Sequence, residues 1–156
     1  MSYSLDDLLH GLRHSRRFFL KHLDGLTDAQ WDWKPYAECK SIRETIAHLV
    51  VDDRCALQSL ESGHEPDYEG MQVTETDRDR LLEMLDTSHQ ELVRYIAARY
   101  TGAPLDAPAC LFGSPRKLAD IGFLSSEDYY HAGQVAFIRM ATDPHWDYYA
   151  AIYGTE

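Results

Sequence analysis

The segment from Ser125 to Arg139 constrains this chain more than any other. Its apolar residues keep helical spacing, so that at about 100° per residue Leu124, Val135 and Ile138 share one narrow arc. Glu127 and His131, four residues apart, fall inside that arc, one turn above the other. The helix therefore turns a carboxylate and an imidazole toward a core. Burying either without a partner is costly, whereas a shared divalent cation satisfies both, because it favours an ionised carboxylate and a neutral imidazole. The pattern predicts a metal site, against the plainer alternative of a buried hydrogen-bonded pair.

Three further stretches repeat the helical period. Leu5, Leu8, Leu9, Leu12, Phe19, Leu23 and Leu26 line a first helix with Ser4 as N-cap and acids in its first turn. Thr27 caps a short turn that runs to Trp33 and ends at Pro35; Trp31, Trp33 and Tyr36 are expected to plug one end of the core. Ser41 and Glu44 form a capping box, which predicts a second helix over Ile42–Ser62 that stops before Gly63. Its stripe is Ile42, Ile46, Leu49, Ala56 and Leu60, with His48 on the flank, about 120° from the middle. After a loop from Gly63 to Val73, a third helix is predicted from Thr76 to Tyr100, with Leu81, Leu85, Ser88, Leu92, Tyr95 and Ile96 inward. Thr101–Pro115, rich in glycine and proline, reads as a long irregular crossover. The fourth helix is predicted to begin near Arg116 and end at Ala141, and Trp146–Tyr153 to dock as a short helix or lid. No strand alternation is evident. The expected fold is one all-α domain over residues 1–156, a four-helix bundle with a long crossover and a short C-terminal helical tail.

Composition excludes several classes of function. A net charge of −11 argues against nucleic acid, which needs clustered Lys and Arg. Arg13, Arg16 and Arg17 form the one basic cluster, and a single helix turn explains it. Cys39, Cys55 and Cys110 follow no paired motif, which fits a reducing compartment, and none reads as a nucleophile. No apolar run reaches the length of a membrane span, and Asp6 and Asp7 stand where a signal peptide would be basic, so a cytoplasmic location is expected. Phosphate loops, nucleophile elbows and the paired Glu-x-x-His of di-iron bundles are missing. Asp52, four after His48, is a reserve ligand or an acceptor for the imidazole N–H. His89 is a further reserve, and His10, His14, His22, His64 and His145 are expected as surface or local-contact residues. Gly133 suggests a close helix approach.

The motifs carry a family resemblance. Leu-Thr-x-x-Gln-Trp-x-Trp-x-Pro at Leu26–Pro35, Ile-Ala-His-Leu at Ile46–Leu49 and His-Ala-Gly-Gln at His131–Gln134, with Ile138 and Arg139 after it, stand in this order. The set resembles the DinB-like superfamily of four-helix-bundle metalloproteins, which includes the YfiT-like proteins. The resemblance implies a crossover between helices two and three or around the last helix, and a homodimer. It also implies one divalent metal held by a histidine of helix two and by two residues four apart on the last helix. His48 and His131 match those positions, while Glu127 stands where histidine is common; the metal would be zinc or nickel, with manganese or iron as alternatives. The implied activity is a thiol S-transferase in which the metal activates a low-molecular-weight thiol against a small electrophile. The alternatives are a metal-dependent hydrolase and a non-catalytic dimeric bundle that binds a metal or small ligand. Tyr130 and Gln134 are candidates for orienting the small-molecule substrate.

Overall fold

The computed structural model describes residues 3–154, so the first two and last two residues of the expected 1–156 domain lie outside the described residues. Four long helices carry the fold: α1 (Leu5–Lys21), α3 (Ile42–Ser62), α4 (Arg78–Arg99) and α5 (Phe123–Thr142), with α2 (Asp28–Trp31) and α6 (Tyr148–Tyr153) short. Local chemistry sets their starts. In the α3 capping box the Glu44 amide donates to Ser41 Oγ at 3.2 Å and the Ser41 amide to Glu44 Oε2 at 2.9 Å. Gly63 ends α3 in the left-handed region, its amide donating to the Ser59 carbonyl. Thr27 and Gln30 cap α2 in the same reciprocal way. Helix α4 starts two residues later than its predicted Thr76, capped by Asp77, whose carboxylate accepts from the Arg80 amide.

Helix α1 packs on α4 and α5, and α3 packs on the same two, which sets α1 opposite α3 and α4 opposite α5. Two connections therefore cross the bundle, the one from α1 to α3 and the one from α4 to α5, whereas α3 and α4, the second and third long helices, are neighbours. Here the structure corrects the sequence reading. The crossover expected to be irregular over Thr101–Pro115 holds a β-hairpin, β1 (Pro108–Leu111) against β2 (Ser114–Lys117), and a 3-10 turn over Leu118–Gly122 follows, so the last long helix starts at Phe123 and not near Arg116. Phe112 and Gly113 turn the chain at φ 51° and 77°, and such a turn needs both central residues at positive φ. A Cβ at Gly113 would also lie 2.8 Å from the Glu65 backbone. Leu111, Leu118 and Ile121 face inward from this segment, which accounts for its apolar residues without a helix.

The core has two apolar halves. Leu8, Leu12, Leu60, Leu92, Ile96 and Ile121 are among the residues of one; Phe19, Trp31, Ile46, Leu49, Leu85 and Val135 belong to the other. Between them each long helix contributes buried polar residues: Ser15 and Arg16 from α1, Asp53 from α3, Ser88 and His89 from α4, and Asp128 from α5. Arg16, 6% exposed, is the hub. Its Nε donates to Asp128 Oδ1 at 2.9 Å, Nη1 to Asp53 Oδ2 at 2.9 Å and Nη2 to Asp53 Oδ1 at 3.2 Å. Ser15 adds a bond to Asp128, and Ser88 one to Asp53. Burial pushes the Asp53 carboxyl up, but the Arg16 charge and hydrogen bonds reverse this and hold it below the usual carboxylate range.

The tail forms a helix, as expected, but docks on α1, where Ile152 is buried and Tyr153 stands near Phe18. Trp31 is buried, whereas Tyr36 is 63% exposed and plugs nothing. Of the two roles expected for His22, surface or local contact, the structure shows the second: the residue is buried, and its Nδ1–H donates to the Phe18 carbonyl, four residues back, at 2.8 Å.

Candidate metal centre

Helices α3 and α5 pack on one another, and His48, Glu127 and His131, all from their N-terminal halves, converge between them. One ligand atom from each lies within 4.8 Å of those of the other two. His131 Nε2 is 3.6 Å from Glu127 Oε2, and the two imidazole centroids are 5.0 Å apart and nearly perpendicular. Other bonds fix the donor atoms. His131 Nδ1–H donates to Gln134 Oε1 at 2.7 Å, which leaves the Nε2 lone pair free. His131 is 3% exposed, and that Nε2 is buried with no hydrogen-bond partner. Burial lowers the pKa of both His131 and His48, and Lys40 nearby adds to the effect. Both shifts favour the neutral ring, the form that ligates a cation. Two neutral imidazoles, one carboxylate and an orphaned inward nitrogen fit a divalent transition metal.

The remaining candidates separate. Asp52 Oδ2 lies 3.3 Å from His48 Nε2 and outside the three-residue group, beside the imidazole. Burial, then the charges of Glu127 and Asp53, push its carboxyl up to about 7. Gln134 is committed to the His131 ring, and Tyr130 stands edge-on to it with ring centroids 5.1 Å apart. His89 is not in the group; it lies in the buried polar layer, 3.8 Å from Asp53.

A cavity of about 700 Å³ opens over the three residues, within the range of small-molecule sites. Tyr130, Phe137 and Gly133 of α5 form one wall, and Tyr36, Cys39 and Lys40 of the α2–α3 connection form another. Gly133 does not serve close helix packing: a Cβ there would meet nothing within 4 Å, so the residue widens the cavity. Cys39 was missed as a site residue, although it stands two positions before the N-cap Ser41 and so near a helix start. None of the tail residues lines the cavity, so α6 is not its lid. No helix among the described residues is long and apolar enough to cross a membrane.

The search of curated proteins returns no match to the chain. A family model does match: the one described as the DinB superfamily covers residues 12–135, from the middle of α1 to the middle of α5. That stretch is well over half of the 156 residues and holds all three residues of the group. With a mostly helical bundle and this match, the chain belongs to the DinB superfamily.

Proposed function

We propose that this protein is a divalent-metal-dependent enzyme that transfers a low-molecular-weight thiol onto a small electrophile. The observation that carries the reading is the buried, partnerless His131 Nε2 facing His48 and Glu127 at the floor of the cavity. These three residues would hold the metal, zinc or nickel before manganese or iron. A divalent cation there supplies Lewis acidity, which makes a thiol or water more acidic at neutral pH. Three protein ligands leave coordination room, in contrast to a closed structural site.

The chain's own residues do the positioning. Gln134 holds the His131 tautomer, and Asp52 steadies His48. Tyr130, Phe137 and Tyr36 offer aromatic surface to an electrophile, and Lys40 places a positive charge at the rim. In the transfer the thiol sulfur bonds to the electrophilic carbon, the thiol proton passes to solvent, and the leaving group departs with its electron pair. The test is metal content by elemental analysis, wild type beside His131→Ala and Glu127→Gln, followed by paired substrate panels. Near-stoichiometric metal that falls in both variants, with turnover that depends on added thiol, supports the reading. Turnover of esters or amides without thiol would replace it with hydrolysis, and absence of metal after reconstitution would refute both.

The reading extends to a homodimer. Phe123, Tyr130 and Phe137 stand seven apart on α5, all exposed, an apolar stripe beside the cavity mouth that a second copy would cover.

A further inference from the structure

Away from the metal centre, α1 and α4 enclose a second cavity of about 460 Å³ that shares no residue with the first. Helix α1 contributes Arg13, Arg17 and Leu20, at spacings of four and three, and α4 contributes His89, Val93, Arg94 and Ala97 from one face. Arg13, Arg17 and Arg94 are exposed, and none has a carboxylate within salt-bridge distance among the described residues. The one acid at the cavity, Asp86, accepts instead from Gln90 Nε2 at 2.7 Å. Arg16 also reaches the cavity but is committed to Asp53 and Asp128.

A second observation points to the same place. His89 lines the cavity, is 8% exposed, and has no hydrogen-bond partner at either ring nitrogen. Its nearest acid, Asp53, is 3.8 Å away and already accepts from Arg16 and Ser88. A buried imidazole unsatisfied at both nitrogens is costly unless something completes it.

We propose that the α1–α4 cavity binds an amphipathic organic anion, a carboxylate or phosphate carried on an apolar body. Arg13, Arg17 and Arg94 hold the anionic head, with planar guanidinium forks suited to carboxylate or phosphate oxygens. Leu20, Val93 and Ala97 take the apolar body, and the His89 ring supplies a hydrogen bond at the core side. The site is independent of the metal centre and does not rest on the activity proposed for it.

The experiment is calorimetric titration of the full chain with octanoate, octyl phosphate and octanol, wild type beside Arg17→Gln/Arg94→Gln and Glu127→Gln. Both arginines are exposed, so the double variant keeps the fold, which circular dichroism checks. The expected result is saturable one-to-one binding of an anion, weakened tenfold or more in the double variant, unchanged in Glu127→Gln, and absent for octanol. The preferred head group distinguishes carboxylate from phosphate. In parallel the His89 ring resonances, assigned with His89→Gln, should shift on binding. Equal binding of octanol, equal affinity in the double variant, loss of binding in Glu127→Gln, or no saturation at millimolar ligand would each overturn the proposal. So would binding confined to anionic vesicles, which would make the arginines a membrane contact.

Discussion

Replacing Arg16 with methionine removes the hub of the polar layer and keeps most of the side-chain volume. Asp53 and Asp128, 3% and 2% exposed, would then be buried without a counter-charge. Arg16 now gives them three bonds of 2.9 to 3.2 Å and gives the Leu85 carbonyl a fourth. Breaking one side of such a buried pair costs about 3–5 kcal/mol, mostly from the uncompensated charges left behind. A domain of this size has roughly 5–15 kcal/mol of stability, so Arg16→Met should fold but unfold at much lower urea. The pH dependence carries the sharper test. Burial already holds the Asp128 carboxyl above the usual range with Arg16 present, and without Arg16 it raises Asp128 further and turns Asp53 from lowered to raised. Stability is then highest where the carboxyls are protonated and is lost as pH rises through the raised values. Urea titrations at pH 7 and pH 5 should show the gap from wild type narrowing at pH 5. Adding Asp53→Asn and Asp128→Asn should recover part of the loss at pH 7, since both uncompensated charges are removed while their buried amide N–H groups gain no acceptor. A loss under about 1 kcal/mol at pH 7, or a gap equal at both pH values, would refute the account of Arg16 as counter-charge.

Gln134→Leu should weaken metal binding about 10- to 100-fold with the fold intact, measured by competition with a chelator, because the His131 tautomer loses its acceptor. Gly133→Ala should raise stability by about 0.5–1 kcal/mol, as a Cβ there meets open space, while Gly133→Leu should fill the cavity and lower turnover of bulky electrophiles. Gly113→Ala should lower the thermal midpoint through a cost of about 1–2 kcal/mol, since φ is 77° and the Glu65 backbone lies in the way. Burial, foremost, lowers the folded-state pKa of His22. Its contribution is present above the unfolded value of about 6.5 and lost as pH falls through the folded one, so His22→Gln should flatten the loss of stability on acidification in urea titrations. Phe137→Glu should shift the species seen in sedimentation equilibrium from dimer to monomer, and an unshifted wild-type monomer would dispose of the α5 interface.

Much of the fold was legible because its signals are local. The box at Ser41 and Glu44 and the stop at Gly63 bound α3 as its spacing predicts, since capping bonds and left-handed glycines act within a few residues. The pairing of Glu127 with His131 follows in the same way from helix geometry. The hairpin at Pro108–Lys117 was not legible as strand: four-residue strands are too short to show alternation, and the reason for Gly113 is the backbone of Glu65, far away in the chain.

Periodicity also places the inward arc of α5 only to within part of a turn. It singles out Glu127, which is half-buried, and passes over Asp128, which is almost fully buried. That rotation is set by Arg16, 112 residues from Asp128 and 37 from Asp53, through bonds that no local pattern encodes. The same holds for Cys39, Lys40 and Tyr36, which join the cavity only because the α2–α3 connection passes over α5. The sequence alone determined the helices, their ends and which acid and imidazole share a turn, because backbone hydrogen bonding and side-chain period are local. The family resemblance joined His48 to that pair where helical spacing left it on a flank; only the tertiary structure decided how close the three come, that a cationic groove lies between α1 and α4, and that the core is split by a charged layer. Each of those depends on the rotation of one helix against another, which buried charges and packing select together.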